Sequence, residues 1–420
     1  MFSALQIPNY RLYAAGTLIS NIGTWMQNTA VAWLVLVLTD SGTLLGVVLG
    51  LQLLPTLIFS PSAGLVADRY SKRKVLIISQ TFMAIPSAVL GVLALTNVVQ
   101  IWQVMILALI FGVARAYEAP ARQAFAAEMV DTKRLSSAVG LNSALFNTGR
   151  IIGPAVAGLM IGAFGGGVAS TGWVIMINAL SYIGTIGAIY FLDSEQLNPA
   201  KKAAAGRGAI RAGLRYTASR PDFVLVLTIV FFVGAFGMNF QITTALMATE
   251  VFGYGAKEFG LLGTIMAVGS VTGSLYAAMR PNPSLRVVLI AAFSFAFLQS
   301  VSGLMPTYWL YAAALPFIGF TILTMAATIN SFIQLTADPL MRGRISALYL
   351  MLFLGGVPFG APLIGGVAET WGARSSLVFS GVASAVGIGI ATLWFFAQIR
   401  HRGQTLQQVG SKVNAHEQPG

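Results

Sequence analysis

Residues 112–158 read GVARAYEAPARQAFAAEMVDTKRLSSAVGLNSALFNTGRIIGPAVAG. The stretch is mostly small and apolar, as in helices that pack inside a bilayer, yet it carries Arg115, Glu118, Arg122 and Arg150. The second half of the chain repeats its glycine skeleton at one fixed separation. Gly319 answers Gly112, Asp338 answers Asp131, and Gly356, Gly360, Gly365 and Gly372 answer Gly149, Gly153, Gly158 and Gly165. At that separation the four charged positions meet Ile322, Met325, Ile329 and Val357. A duplicated helical unit in which one copy keeps ionisable groups is a pattern of membrane transporters built from parallel repeats.

Composition agrees. The 420 residues are 56% hydrophobic and 9% charged, with a mean hydropathy of +0.78, whereas a soluble domain carries about 25% charged residues. A membrane helix needs about 20 mostly apolar residues. Runs of that kind fall at 12–38, 43–67, 75–95, 101–129, 136–161 and 173–192, then at 223–248, 259–279, 287–304, 309–336, 345–368 and 375–397. The later turns of the fourth and tenth runs are amphipathic and are expected to line a cavity or protrude. The expected fold is an all-α membrane protein with twelve transmembrane helices in two pseudo-symmetric six-helix lobes. The lobes span 1–192 and 223–397, joined by a cytoplasmic linker at 193–222 and followed by a disordered tail at 398–420. Ala209 to Arg220 reads either as a short interfacial helix or as a basic tether.

Of the 25 Lys and Arg, all but Lys257, Arg374 and Arg150 fall on the side that also holds both termini. Asp40, Glu250, Glu258 and Glu369 lie in the opposite connections. The positive-inside rule makes the basic side cytoplasmic. The net charge of +12 is then a topology signal, and nucleic acid is not the expected partner. The expected location is the bacterial inner membrane, with no cleaved signal peptide at the N-terminus. The chain has no Cys, and its two His, His401 and His416, lie in the polar tail. This excludes disulfides, thiol catalysis, Cys-based metal sites and a buried histidine relay. No cofactor or metal is expected. No nucleotide-binding loop is present, so direct ATP use is not expected. A membrane-embedded enzyme is the first rival class, but no nucleophile–base pair is visible.

Residues 64–74 read GLVADRYSKRK. Gly64 allows close helix approach, Asp68 can accept from a neighbouring helix N-terminus, and Arg69, Lys72, Arg73 and Lys74 fix orientation. The expected partner of Asp68 is the start of the eleventh run, near Gly343 to Ile345. This stretch resembles the loop motif of the major facilitator superfamily, with Ser71 where many members have glycine. Gly140, Gly149, Gly153, Pro154, Ala157 and Gly158 resemble that superfamily's antiporter motif, with Ala157 replacing one glycine. Small residues one turn apart let helices touch, and Pro154 removes a backbone donor. SNIGTWMQNTAVAWLVLVLTDS, APARQAFAAEMV, LNSALFNTGRIIGPAVAG and MRGRISALYLM resemble the subgroup that holds the enterobactin exporter and related macrolide and multidrug efflux proteins. The resemblance implies a two-lobed exporter working by alternating access, taking a siderophore, macrolide or drug-like amphipathic molecule, with proton antiport. A lipid flippase or an importer of the same fold, or a membrane sensor that no longer transports, are the alternatives. The implied partners are a small molecule, protons and the bilayer, with the chain a monomer.

Arg115, Glu118 and Arg122 are spaced to share one helix face. Ionisable groups within the membrane are costly and mark functional sites. One reading has Glu118 bind and release the coupling proton between Arg115 and Arg122. The other has it only neutralise those arginines. Arg150, deep in the fifth run, either meets an anionic or phenolic group of the substrate, or Glu118, or bonds carbonyls freed near Pro154. Asn21, Trp25 and Asn28 share a face of the first run. By resemblance, these residues line a substrate cavity with Asn239 and Gln241 in the seventh run and Asn330 and Gln334 in the tenth.

Overall fold

In hydrocarbon every backbone N–H and C=O must be satisfied within its own segment, and helices do this. The computed structural model describes residues 3–131, 133–193, 197, 209–280, 282–339 and 341–401, and none of these lies in a strand. Six long helices form the first lobe: α1 (Pro8–Thr39), α2 (Gly42–Arg69), α3 (Lys72–Leu95), α4 (Ile101–Glu128), α5 (Leu135–Ala163) and α6 (Val168–Tyr190). A linker helix α7 (Ala209–Ser219) follows. The second lobe contains α8 (Pro221–Phe232), α9 (Phe240–Leu246), α10 (Ala256–Ala278), α11 (Leu285–Ser302), α12 (Tyr308–Thr336), α13 (Arg342–Gly355), α14 (Val357–Trp371) and α15 (Ala373–His401). Among the described residues, 12 segments are long and apolar enough to cross a membrane.

Local chemistry sets the boundaries. Ser41 caps α2 by accepting from the Leu44 N–H, and Thr307 caps α12 by accepting from Leu310. Proline opens α1 and α8, where its missing N–H costs no helix bond. Two spans depart from the single helices expected. The seventh is broken by π turns at Val233–Gly237 and Met247–Val251. Asn239 sits between α8 and α9 and donates to the Ala235 carbonyl at 2.7 Å, which satisfies an acceptor in the interrupted ladder. The eleventh breaks at Gly356, between α13 and α14, just ahead of Pro358. Its counterpart α5 has Ile151 at the matching position and runs unbroken. The added proline removes one donor and stops the ladder.

The linker helix is docked. Gly213 lies against the Cβ of Arg344 on α13, and the Tyr216 hydroxyl accepts from the Asp338 N–H at 3.2 Å. Residues 194–196, 198–208 and 402–420 lie outside the described residues. They include most of the linker ahead of α7 and nearly all of the expected tail.

The lobes meet through α2 on α14 and α5 on α10. At one end the backbones touch. A Cβ on Gly158 would sit 2.5 Å from the Ala256 carbonyl, and one on Gly260 2.2 Å from the Pro154 carbonyl. Only glycine permits that approach. At the same end Glu369 on α14 accepts from the Ser41 hydroxyl, from the Thr43 N–H at 3.1 Å and from the Thr43 hydroxyl at 2.5 Å. At the opposite end Gly64, Gly140 and Gly343 have nothing within 4 Å of where a Cβ would stand. The glycine contacts and the Glu369 bridge seal the molecule at their end.

Candidate charge site and central cavity

Helix α4 presents Arg115, Glu118 and Arg122 to the interior of the first lobe. Glu118 is 5% exposed. Its Oε1 lies 3.2 Å from Arg122 Nε and accepts from Gln80 Nε2 of α3 at 3.5 Å. Arg122 Nη1 in turn donates to Asn21 Oδ1 of α1 at 3.0 Å. Three helices thus converge on one carboxylate. The cluster sits in a small chamber of about 40 Å³ whose wall includes Tyr13 and Tyr182. Its hydrogen bonding is incomplete, since Asn21 Nδ2, Gln80 Oε1 and the Tyr13 hydroxyl are buried without partners. Arg122 Nε also lacks a properly angled hydrogen bond, so its contact with Glu118 is an ion pair only. A buried ionic group with unmet polar neighbours is a poor stabiliser of a fold.

A second, larger space of about 200 Å³ lies between the lobes. From the first lobe it is lined by Trp25, Asn28, Gln52, Arg115 and Arg150, and from the second by Asn239, Phe240, Gln241 and Met266. Trp25, Asn28 and Arg115 border both spaces. The Arg150 guanidinium stands over the Trp25 ring, 5.7 Å from its centroid. Gly149 and Gly153 set that geometry, because a Cβ at either would strike α1 at Asn21 or Trp25. The Pro154 bend presses α5 onto α10, where Thr264 donates to the Ile151 carbonyl at 2.7 Å.

The amides grouped by sequence are divided in space. Asn28 and Gln52 share a hydrogen bond of 3.4 Å at the cavity wall. Asn21 belongs to the Glu118 chamber and does not line the central cavity. Asn239 has one side-chain oxygen buried and unpaired. Asn330 and Gln334 line a separate depression on α12, where Gln334 donates to the Ser346 hydroxyl at 3.1 Å. Gln52, Gln80, Tyr13 and Tyr182 escaped the sequence reading. The two glutamines were legible as amides inside apolar runs, while the tyrosines carry no such signal.

The 64–74 turn is bound within its own lobe. Lys72 is buried and pairs with Glu128 at the end of α4, Nζ to Oε1 at 3.0 Å. Arg73 donates to the Tyr190 carbonyl at 2.6 Å. Asp68 is exposed. The contact expected between it and the start of α13 is not made, and its carboxylate stays in solvent. Ser41, Thr43 and Glu369, which no motif links, form the bridge at the sealed end.

Comparison with known proteins follows the geometry. Residues 1–412 match the family model described as transmembrane secretion effector. The chain is 24% identical to the staphyloferrin A transporter of Staphylococcus aureus, over 89% of this chain and 92% of that protein. It is 28% identical to the multidrug efflux pump Tap of Mycolicibacterium fortuitum, over 87% and 90%. It is 22% identical to macrolide efflux protein A of Streptococcus pyogenes, over 87% and 91%. In fold it is similar to the nucleoside transporter NupG, with a TM-score of 0.71 at 15% identity over 93% of this chain and 99% of that one. A D-xylose–proton symporter gives a TM-score of 0.70 at 15% identity over 94% and 97%. With twelve spans in two lobes, a model match over nearly its whole length and efflux proteins among its relatives, the chain belongs to the transmembrane secretion effectors of the major facilitator superfamily, transporters rather than enzymes.

Proposed function

We propose that the chain exports an amphipathic organic molecule across the bacterial inner membrane in exchange for protons, by alternating access. Relatives that are siderophore, macrolide and multidrug transporters support the cargo class. The observation that carries the mechanism is the asymmetry of the two ends. One is closed by glycine contacts and Glu369, and at the other Asp68 is exposed and makes no bond to α13. With the basic end cytoplasmic, as the positive-inside rule requires, this is the state that loads cargo from inside the cell. In the opposite state the Glu369 bridge parts, and Asp68 reaches the start of α13. Both termini then lie in the cytoplasm.

Glu118 is the proton carrier in this reading. It has a cationic partner at 3.2 Å and borders no lipid. Asn21 holds that partner, Arg122, in place, and Arg115 joins the chamber to the cavity. A proton taken up by Glu118 removes the charge that pairs with Arg122, and the α1–α4 contact then reorganises. The test is efflux from proteoliposomes under an imposed pH gradient. Glu118→Gln should bind cargo and lose gradient-driven accumulation. Full retention of that accumulation would remove Glu118 from the coupling role.

A further inference from the structure

Arg115 and Arg150 enter the central cavity from α4 and α5, and neither an aspartate nor a glutamate lines it. None of the ion pairs among the described residues includes either arginine. Neither guanidinium makes a hydrogen bond to another described residue, and that of Arg150 rests over the Trp25 face. Arg122 differs, since its charge is met by Glu118 and its Nη1 by Asn21. The structural role open to Arg150, bonding carbonyls near Pro154, is not taken up, and the Ile151 carbonyl is held by Thr264.

An arginine at membrane depth costs about 2.5–3.5 kcal/mol and is almost always paired. Two guanidiniums facing a cavity that no carboxylate lines attract anions to it. Each offers five N–H donors in a planar fork that matches a carboxylate. Around them the wall is apolar and aromatic, with Trp25, Phe240 and Met266. A guest that fits carries its anionic groups apart on an organic body. Resting on the reading of this cavity as the cargo path, we propose that the site takes an amphipathic molecule with at least two carboxylates or equivalent anionic groups, one at Arg115 and one at Arg150, and rejects cationic amphiphiles. Arg115 also borders the chamber of Glu118. A bound anion and the Glu118 carboxylate therefore compete for the field of one guanidinium.

The test uses two dyes with one ring system and opposite charge, 5-carboxyfluorescein and rhodamine 6G. Binding to the purified full-length chain in detergent is read by fluorescence anisotropy, with the melting temperature of each variant measured alongside. 5-Carboxyfluorescein should bind at least about tenfold more tightly than rhodamine 6G, a tenfold ratio corresponding to 1.4 kcal/mol. Arg115→Gln and Arg150→Gln should each weaken it by about tenfold or more. Arg150→Lys should restore part of the loss, and Lys257→Gln, at an exposed site outside the cavity, should change nothing. Three results would each overturn the proposal: rhodamine 6G binding as tightly, no binding of 5-carboxyfluorescein, or folded arginine variants that bind it like the parent. The exporter reading fails separately. Intact 5-carboxyfluorescein binding with no flux in proteoliposomes under either gradient would sink export and leave the anion site standing.

Discussion

Helices α4 and α5 of the first lobe and α12 to α14 of the second share one glycine skeleton and differ in what they enclose. Where α4 and α5 place Arg115, Glu118, Arg122 and Arg150, the second lobe has Ile322, Met325, Ile329 and Val357. The first three of these are 0% exposed and the last 6%. The first three positions therefore make a polar chamber in one lobe and a packed core in the other, while Arg150 and Val357 both face the central cavity. Buried apolar packing has few ways to rearrange, whereas an ion pair with unmet polar neighbours has several. The comparison assigns the chemistry to the first lobe and leaves the second as the wall it works against.

Swapping characters across the repeat should give the largest effect. Met325→Glu puts an unpaired carboxylate into the second lobe's core, at a cost of about 2.5–3.5 kcal/mol. The variant should melt well below the parent in detergent, whereas Glu118→Gln should melt near it. Equal melting of both would mean that the second lobe tolerates charge as the first does. Next in size is the seal between the lobes. Gly260→Val adds bulk where even a single Cβ would stand 2.2 Å from the Pro154 carbonyl, so the closed end should be forced apart. The chain has no Cys, which allows a spin-label pair to be introduced without background, and the inter-lobe distance at the sealed end should rise. An unchanged distance distribution would show that this glycine contact does not hold that end.

Glu369→Gln should act in the same direction more weakly. It removes a charge that accepts three hydrogen bonds, and charge-assisted bonds are roughly twice as strong as neutral ones. The same label pair should report partial opening, and a closed population equal to the parent's would make the bridge incidental. The smallest effect is expected at Gln334, outside the central cavity. Its bond to Ser346 is of a kind that contributes about 0.6 kcal/mol on average. Gln334→Ala should therefore leave cargo affinity unchanged, and a clear loss of binding would extend the cargo path along α12.

The sequence made the twelve spans legible because hydrocarbon thickness fixes how long an apolar run must be. The expected run 101–129 corresponds to α4, Ile101–Glu128, and the run 309–336 to α12, Tyr308–Thr336. Spacing alone also put Arg115, Glu118 and Arg122 on one face. It missed the π turns around Asn239 and the break at Gly356, although Pro358 was in view. Periodicity averages over a helix, while a break depends on one proline or one side chain that replaces a backbone bond.

What the sequence determined by itself was the membrane, the duplicated two-lobe plan, the side that carries positive charge and the family to which the chain belongs. The first three follow from hydropathy, repeat and charge count, which add up along the chain, and the family from the resemblance of its loop and glycine motifs. Only the tertiary structure decided which partner each polar group meets. It gave Glu118 to Arg122 and Gln80, Arg122 also to Asn21, Lys72 to Glu128, and Glu369 to Ser41 and Thr43. It also left Arg115 and Arg150 unpaired at one cavity and set Asn330 and Gln334 apart from it. The physical reason is that helix packing in lipid is driven by shape at small residues. The register in which two helices touch is a property of both surfaces together, and that register decides which charges meet.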